Sequence, residues 1–131
     1  MVTARWPEPA EGVARVRRTA ALARVPAGEV GPGWTWSAGA VSLRQVGPPR
    51  PLRGTRSDPN NNSLVLLARV GGVRVLLTGD AEAEVQQAML AASPAGGLRA
   101  SVLKMPHHGS AYQSPAFLDA VAPAVVLVPV G

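Results

Sequence analysis

The fold is decided by the stretch Ser63-Leu-Val-Leu-Leu-Ala-Arg-Val-Gly-Gly-Val-Arg-Val-Leu-Leu-Thr-Gly-Asp80, which holds two apolar, β-branched runs on either side of Gly71-Gly72. Two glycines between such runs predict a β-hairpin with a two-residue turn. This register places Arg69 opposite Arg74, and like charges that face each other are tolerated only in solvent. We therefore expect a hairpin whose tip is exposed and whose other end, at Thr78, runs into the interior.

The segment after this hairpin alternates between helices and strands. A helix is expected over Ala81–Ala92, where apolar residues recur with helical spacing, and Ser114 is a suitable N-cap for a second, short helix. Around them we expect a strand over Ala100–Met105, a loop over Pro106–Gln113 and a last buried strand over Ala124–Val128. The resulting order β-β-α-β-α-β predicts an α/β fold.

The segment before the hairpin is less regular. One helix is expected over Ala10–Val25, with one shared face formed by Val13, Val16, Ala20 and Ala23. Short strands are expected over 34–36 and 40–46. The Pro/Gly/Arg-rich stretch 47–56 favours a loop. We therefore treat 1–131 as one domain, with an Arg-rich segment (residues 1–56) and an α/β segment that carries the motifs (residues 57–131).

Composition limits the classes of protein to which the chain can belong. A length of 131 residues fits a single domain, and 47% hydrophobic with 16% charged residues excludes a disordered chain. The absence of cysteine excludes disulfides and thiolate metal sites. No apolar stretch reaches the roughly 18–20 residues that a membrane span needs, and the N-terminus has no signal-peptide order. The sequence as it stands therefore predicts a soluble chain without a membrane span.

The charge is unevenly distributed. Residues 1–56 contain nine arginines and three glutamates, whereas residues 57–131 carry a slight negative excess. Arginine enrichment also reflects genomic base composition, so the total charge alone does not indicate a partner. The local excess in residues 1–56 nevertheless predicts weak, sequence-independent binding to nucleic acid that fades with salt.

Two polar loops directly follow predicted strands, Thr78-Gly79-Asp80 and Pro106-His-His-Gly-Ser110. If those strands are parallel neighbours, the loops meet at one edge of the sheet. A carboxylate and imidazoles that converge there suit a divalent transition metal. Asp80 is also well placed to be the N-cap of the following helix, and paired histidines can be structural. Ser110 lacks a Gly-x-Ser-x-Gly elbow, which disfavours nucleophilic catalysis, and Asn60-Asn-Asn-Ser63 is typical of a polar turn.

The combined motifs resemble the metallo-β-lactamase-fold domain of the ComEC family, the bacterial DNA-uptake (competence) proteins. The resemblance covers about residues 30–131. It rests on Asn60-Asn-Asn-Ser-Leu-Val-Leu-Leu67, Val75-Leu-Leu-Thr-Gly-Asp80 and Val102-Leu-Lys-Met-Pro-His-His-Gly-Ser110, followed by Phe117-Leu118 and Pro123.

The resemblance implies an αββα sandwich with two metal ions, Zn²⁺ or Mn²⁺, at one edge. Asp80 would bridge the ions, His108 would bind one of them, and His107 and Ser110 would contact the phosphate of DNA or another phosphodiester. It also implies a parent that is an integral cell-membrane protein with this domain outside the cytoplasm, where it cleaves the DNA strand that is not imported.

The main metal motif of that family, His-x-His-x-Asp-His, is missing from this sequence and would be expected upstream of Met1. Two histidines are too few for a dinuclear site, and even a catalytic mononuclear zinc takes three protein ligands. We therefore expect the C-terminal portion of such a domain, inactive when alone. The alternatives are another hydrolase on the same fold, similar to phosphorylcholine esterases, and a non-catalytic Arg-rich module that binds nucleic acid.

Overall fold

The computed structural model describes residues 1–7 and 9–130, and within them the fold is mixed α/β. In chain order the elements are β1 (Val2–Ala4), α1 (Ala10–Leu22), β2 (Gly28–Val30), β3 (Thr35–Ala38), β4 (Val41–Gly47), α2 (Asp58–Asn61), β5 (Val65–Val70), β6 (Val73–Leu77), α3 (Ala83–Ala92), β7 (Val102–Lys104), α4 (Pro115–Val121) and β8 (Val125–Leu127). A 3₁₀ turn over Pro106–Gly109 lies between β7 and α4. The predicted order β-β-α-β-α-β is confirmed, and the arrangement is compatible with a partial α/β sandwich.

Strands β5 and β6 form the predicted hairpin. Val70 pairs with Val73 and Arg69 pairs with Arg74, which is the register expected from the sequence. Gly71 takes a positive φ of 57°, a conformation that residues with a Cβ rarely adopt. Val70 and Val73 are 49% and 46% exposed, so the tip of the hairpin lies in solvent as expected.

The hairpin is the centre of a six-stranded sheet in the order β3-β4-β5-β6-β7-β8. Strands β3 to β6 pair antiparallel, whereas β7 and β8 run parallel to β6. Parallel neighbours require a crossover connection, and α3 and α4 provide the two crossovers. The loops that follow β6 and β7 therefore emerge at the same edge of the sheet, which the sequence analysis expected on the condition that these strands are parallel neighbours.

The hydrophobic core lies on one face of this sheet. Leu67, Leu76 and Leu103 occupy matching positions on β5, β6 and β7, so their side chains point to the same side. They pack in one cluster with residues of α3 and α4, of which Met89 and Phe117 are fully buried. Removing the Phe117 side chain would cost about 3–5 kcal/mol, as for other buried aromatic residues.

The opposite face of the sheet is apolar and open to solvent. Trp36 and Leu77 lie on it and are about half exposed. The prediction that Ala124–Val128 forms a buried strand was wrong, because Val125 and Leu127 in β8 are 50% and 55% exposed. Among the described residues β8 is an edge strand that pairs only with β7, and both of these residues belong to the open face.

The N-terminal segment forms a small β-α-β unit that the sequence did not predict. Strands β1 and β2 pair in parallel and are connected by α1. On the apolar face of α1, Ala20 is buried but Val16 is 44% exposed. The apolar face of α1 lines a shallow, open groove together with Met1 and Val25. None of the described helices is long and apolar enough to cross a bilayer.

Candidate functional site

The loop after β6 has a fixed conformation. The Thr78 hydroxyl donates to the carbonyl of Lys104 on β7 at 2.7 Å, which fixes the end of β6 to its neighbour. Gly79 has a φ of 57°, and a Cβ at this position would lie 2.9 Å from the Cβ of Ser63. The N–H of Asp80 donates to the Ser63 hydroxyl at 3.3 Å. The backbone therefore needs glycine at position 79 and presents the next residue, Asp80, at the edge of the sheet.

Asp80 is not the N-cap of α3, so the capping prediction was wrong. The helix begins at Ala83, and Glu82 occupies the N-cap position without a capping hydrogen bond from its own side chain. The side-chain oxygen of Asn61 accepts the N–H of Val85 at 3.2 Å, so a residue from another segment caps the helix. The Asp80 carboxylate is thereby free of a capping role.

The polar segment Asn60–Ser63 is more structured than a simple turn. Asn61 is fully buried and forms the end of the one-turn helix α2. Asn61 donates to the Glu84 carboxylate at 3.2 Å, and the N–H of Arg56 donates to the same carboxylate at 2.9 Å. These hydrogen bonds, chiefly the one from Arg56, hold the pKa of Glu84 below its ordinary value. The segment thus braces the start of α3 against the loop that precedes it.

The loop after β7 carries both histidines in a strained backbone. His107 and His108 have φ values of 43° and 54°, and Gly109 follows with a φ of 82°. Left-handed conformations of non-glycine residues cost about 1–3 kcal/mol each and occur preferentially at functional sites. The N–H of His107 donates to the carbonyl of Gly79 at 3.2 Å, so the two loops are joined through the backbone.

Asp80 and His108 face each other across these loops. His108 Nε2 lies 3.6 Å from Asp80 Oδ1, and His108 Nδ1 lies 3.1 Å from the carbonyl oxygen of Pro129. A carbonyl can only accept, so Nδ1 carries the proton in this contact, and Nε2 is the ring nitrogen that faces Asp80. This is the arrangement by which proteins orient a metal-binding imidazole. The pair therefore has the donor chemistry of two neighbouring metal ligands.

Lys104 is a third member of this site that the sequence analysis did not single out. Its ammonium nitrogen lies 3.6 Å from Asp80 Oδ1 and donates to the carbonyl of Gly79. It is the only lysine in the chain, and it lies three residues before His107 in the motif. That combination was the signal available in the sequence. The lysine places a positive charge beside the Asp80 carboxylate.

His107 points toward a different carboxylate, that of Glu82, which the sequence analysis also missed. His107 Nδ1 lies 2.9 Å from Glu82 Oε1 without forming a hydrogen bond with it. The Glu82 side chain is fully buried, receives a hydrogen bond from Asn60 and lies 3.3 Å from Arg56 Nε. The available signal was an acidic residue two positions after Asp80, at the start of an otherwise largely apolar helix.

Ser110 lies in the same loop but apart from the Asp80–His108 pair. Its hydroxyl accepts the N–H of Tyr112 at 3.4 Å. The side chain of Gln113 donates to the carbonyls of Ser110 and Pro106, and it also accepts a hydrogen bond from the fully buried Gln86 of α3. The loop is therefore fastened to α3 by an amide network.

The described residues do not form a metal-binding group by themselves. Across residues 1–7 and 9–130 no group of three or more His, Asp or Glu side chains is arranged to hold a metal ion. Asp80 and His108 are side chains of the types that bind divalent metals, and the Lys104 ammonium lies near the same Asp80 oxygen, Oδ1. Two such donors are fewer than the three protein ligands of a catalytic zinc site.

Two curated proteins are similar to portions of this chain. Over 80 residues, this chain is 36% identical to Uncharacterized protein YcaI of Escherichia coli (strain K12). The match covers 61% of this chain and 10% of that protein. Over 54 residues, it is 44% identical to ComE operon protein 3 of Bacillus subtilis (strain 168). This match covers 41% of this chain and 7% of that protein.

Both relatives are far longer than this chain. The matched segments span a tenth or less of either relative's length. No protein-family profile matches the chain.

Proposed function

We propose that this chain is the C-terminal portion of a metal-dependent phosphodiesterase domain of the ComEC type, and that it is inactive by itself. The observation that carries the proposal is the convergence of Asp80 and His108 at one edge of parallel strands. The 44% identity to ComE operon protein 3 over 54 residues supports the same assignment. Both relatives are at least about ten times as long as the segments that match this chain, so they have room for the missing ligands.

In the complete domain, Asp80 and His108 would hold two divalent ions together with ligands from outside this chain. Such ions, Zn²⁺ or Mn²⁺, supply Lewis-acid chemistry when bound. The backbone hydrogen bond from His107 to Gly79 keeps the two loops in register, and the Pro129 carbonyl keeps the His108 imidazole in the tautomer that can ligate. The residues of this chain therefore position the ligands.

His107 and Ser110 would contact the phosphate of the substrate. The buried Glu82 carboxylate lies beside Nδ1 of His107, so the other ring nitrogen, Nε2, is the one that would donate toward a phosphate oxygen. Such a donor acts mainly on the charge that develops in the transition state. Since the resemblance is to DNA-uptake proteins, we propose DNA as the substrate.

The test is a joined protein in which an upstream segment bearing His-x-His-x-Asp-His precedes this chain. We expect it to hydrolyse a phosphodiester, with bound zinc or manganese measured by elemental analysis. Asp80→Ala should lower the rate at least about a hundredfold and release metal, because a carboxylate that bridges two ions contributes to both. His108→Ala should weaken one ion, and His107→Ala should lower turnover while retaining more of the metal.

Asp119→Ala is the matched control, since it removes an exposed carboxylate from α4. It should leave metal content and rate unchanged. An Asp80→Ala protein that is folded, fully loaded with metal and fully active would contradict the proposal.

A further inference from the structure

Four arginines from separate segments lie together at the hairpin-tip end of the sheet. They are Arg44 of β4, Arg69 of β5, Arg74 of β6 and Arg99 of the segment before β7, and we call them the Arg cluster. Only Arg44 belongs to the Arg-rich segment. The cluster is therefore a product of the fold that the linear distribution of charge does not show.

The guanidinium groups of Arg44 and Arg74 are held close together by the turn after α3. Arg44 and Arg74 both donate to the carbonyl oxygen of Gly97, at 3.2 Å and 3.3 Å. Arg69 lies directly opposite Arg74 on the neighbouring strand. Two guanidinium groups that share one neutral oxygen, with a third across the strand pair, form a dense patch of positive charge.

This positive charge is not neutralised by the described residues. Among the ion pairs in residues 1–7 and 9–130, none involves a member of the Arg cluster. Within the same residues, Nε of Arg74 is buried and has no hydrogen-bond partner. Burial and repulsion from Arg69, Arg44 and Arg99 lower the pKa of Arg74. An anion bound here would relieve that repulsion.

The shape next to the Arg cluster suits an extended chain of anions. An open groove runs beside it and is lined by the hydroxyl residues Thr35, Ser37 and Ser42 together with Arg44 and Arg69. Guanidinium and hydroxyl groups are the side chains that most often contact phosphate oxygens of nucleic acids. A groove that combines guanidinium and hydroxyl groups suits a sugar–phosphate backbone lying along it.

The same geometry disfavours a membrane surface as the partner. The exposed apolar side chains at the hairpin tip, Val70 and Val73, lie on the opposite face of the sheet from Arg69 and Arg74, because neighbouring residues of a strand alternate. An interfacial protein turns its apolar and basic side chains toward the same lipid surface. In this chain, the exposed apolar side chains and the arginines of the hairpin point to opposite faces of the sheet.

We propose that the Arg cluster binds the phosphodiester backbone of a nucleic-acid strand, without regard to its sequence. Strand β6 separates Arg74 from Leu77 by about 10 Å, so the Arg cluster and Asp80 stand at opposite ends of this strand. The surface is thus distinct from the candidate metal site, and the proposal does not depend on hydrolysis.

The test measures binding of this chain to a fluorescein-labelled single-stranded DNA of mixed sequence by fluorescence anisotropy at several salt concentrations. The variant R44Q/R69Q/R74Q/R99Q should bind at least tenfold more weakly. Its slope of log K against log salt should be shallower by about 2 to 3, because each phosphate contact to a single strand contributes about 0.7.

The matched control is R15Q/R18Q/R24Q/R50Q, which removes the same charge from exposed arginines of the Arg-rich segment. It should lose less than about threefold in affinity. The smaller variant R69Q/R99Q changes only two exposed side chains and should lose an intermediate amount of DNA affinity. It keeps the proposal testable if the quadruple variant misfolds. Circular dichroism confirms that each variant is folded.

Equal losses in the two quadruple variants would overturn the proposal, because the Arg cluster would then act only through total charge. A chain that binds vesicles containing anionic phosphatidylglycerol but not DNA would overturn it as well. An RNA strand of the same length should bind within about threefold of DNA, since the contacts are to phosphate.

Discussion

His107 Nδ1 lies 2.9 Å from Oε1 of Glu82, a carboxylate that is fully buried. Taking a carboxylate out of water is costly unless charges or hydrogen bonds compensate it. Asn60, Arg56 and His107 provide this compensation for Glu82. The imidazole of His107 is therefore a component of the internal structure as well as of the candidate site, whereas His108 is more exposed and faces Asp80.

This contrast predicts different effects of the two histidines on stability. His107→Ala should lower the free energy of unfolding by about 1–3 kcal/mol, because it leaves the buried Glu82 carboxylate with fewer compensating groups. His108→Ala should cost less than about 1 kcal/mol, since its ring is more than half in solvent. Urea unfolding of the two variants at neutral pH is the measurement. Equal losses, or a larger loss for His108→Ala, would contradict the assigned role of Glu82.

The incomplete ligand set predicts that the purified chain does not retain metal. After loading with Zn²⁺ or Mn²⁺ and dialysis, elemental analysis should find well under one equivalent per chain, because Asp80 and His108 provide two ligands where catalytic zinc takes three. Retention of one or more equivalents would show that the site is complete in this chain.

Glu84 predicts a pH dependence on the acid side. Its pKa is lower in the folded chain than its ordinary value of 4.5, so its contribution to stability is present above that pH and is lost as the pH falls through the folded-state pKa. Glu84→Gln should therefore lower the free energy of unfolding by about 1 kcal/mol at pH 7, a modest amount for a partly exposed carboxylate that accepts two hydrogen bonds. The difference from the unchanged protein should shrink below pH 4.5.

The control for this prediction is Glu11→Gln on the surface of α1, which should show no difference at either pH. The measurement is the thermal unfolding midpoint between pH 3 and pH 7. A Glu84→Gln difference that stays constant across this range would rule out the charge of Glu84 as its cause.

The facing arginines of the hairpin predict a stabilising substitution. Arg69→Glu should raise the free energy of unfolding by about 0.2–1 kcal/mol, because a like-charge pair across β5 and β6 becomes an opposite-charge pair with Arg74. Arg69→Gln should give a smaller gain, since it removes the repulsion without adding attraction. Urea unfolding of the three proteins should show this order, and a loss of stability in Arg69→Glu would contradict it.

The features that local patterns determine could be predicted from the sequence. The hairpin register follows from Gly71-Gly72 between two apolar runs, and Ser114 caps α4 as expected, its side chain accepting the N–H of Phe117. The meeting of the two polar loops at one sheet edge was expected on the condition that the preceding strands are parallel neighbours, and β6 and β7 meet that condition. These features depend on residues that are near in sequence or on a simple rule of topology.

The features that depend on distant segments could not be predicted in the same way. The cap of α3 comes from Asn61, more than twenty residues earlier, so no local signal could show that Asp80 is left free. The buried position of Glu82 depends on Asn60, Arg56 and His107, which approach it from other segments. The exposure of β8 depends on its position at the edge of the sheet, where residues on both of its faces are about half exposed, and a strand of three apolar residues looks the same in sequence whether covered or open.

The open face of the sheet has a consequence for how copies of this chain associate with one another. Val125–Leu127 presents a free strand edge and half-exposed apolar side chains together, the combination that recruits further extended chains in amyloid-like assembly. Pro123 and Pro129 flank the strand and lack the N–H needed to extend such pairing. The stretch that can pair with another chain is therefore short. So short a stretch offers another extended chain only a few backbone hydrogen bonds.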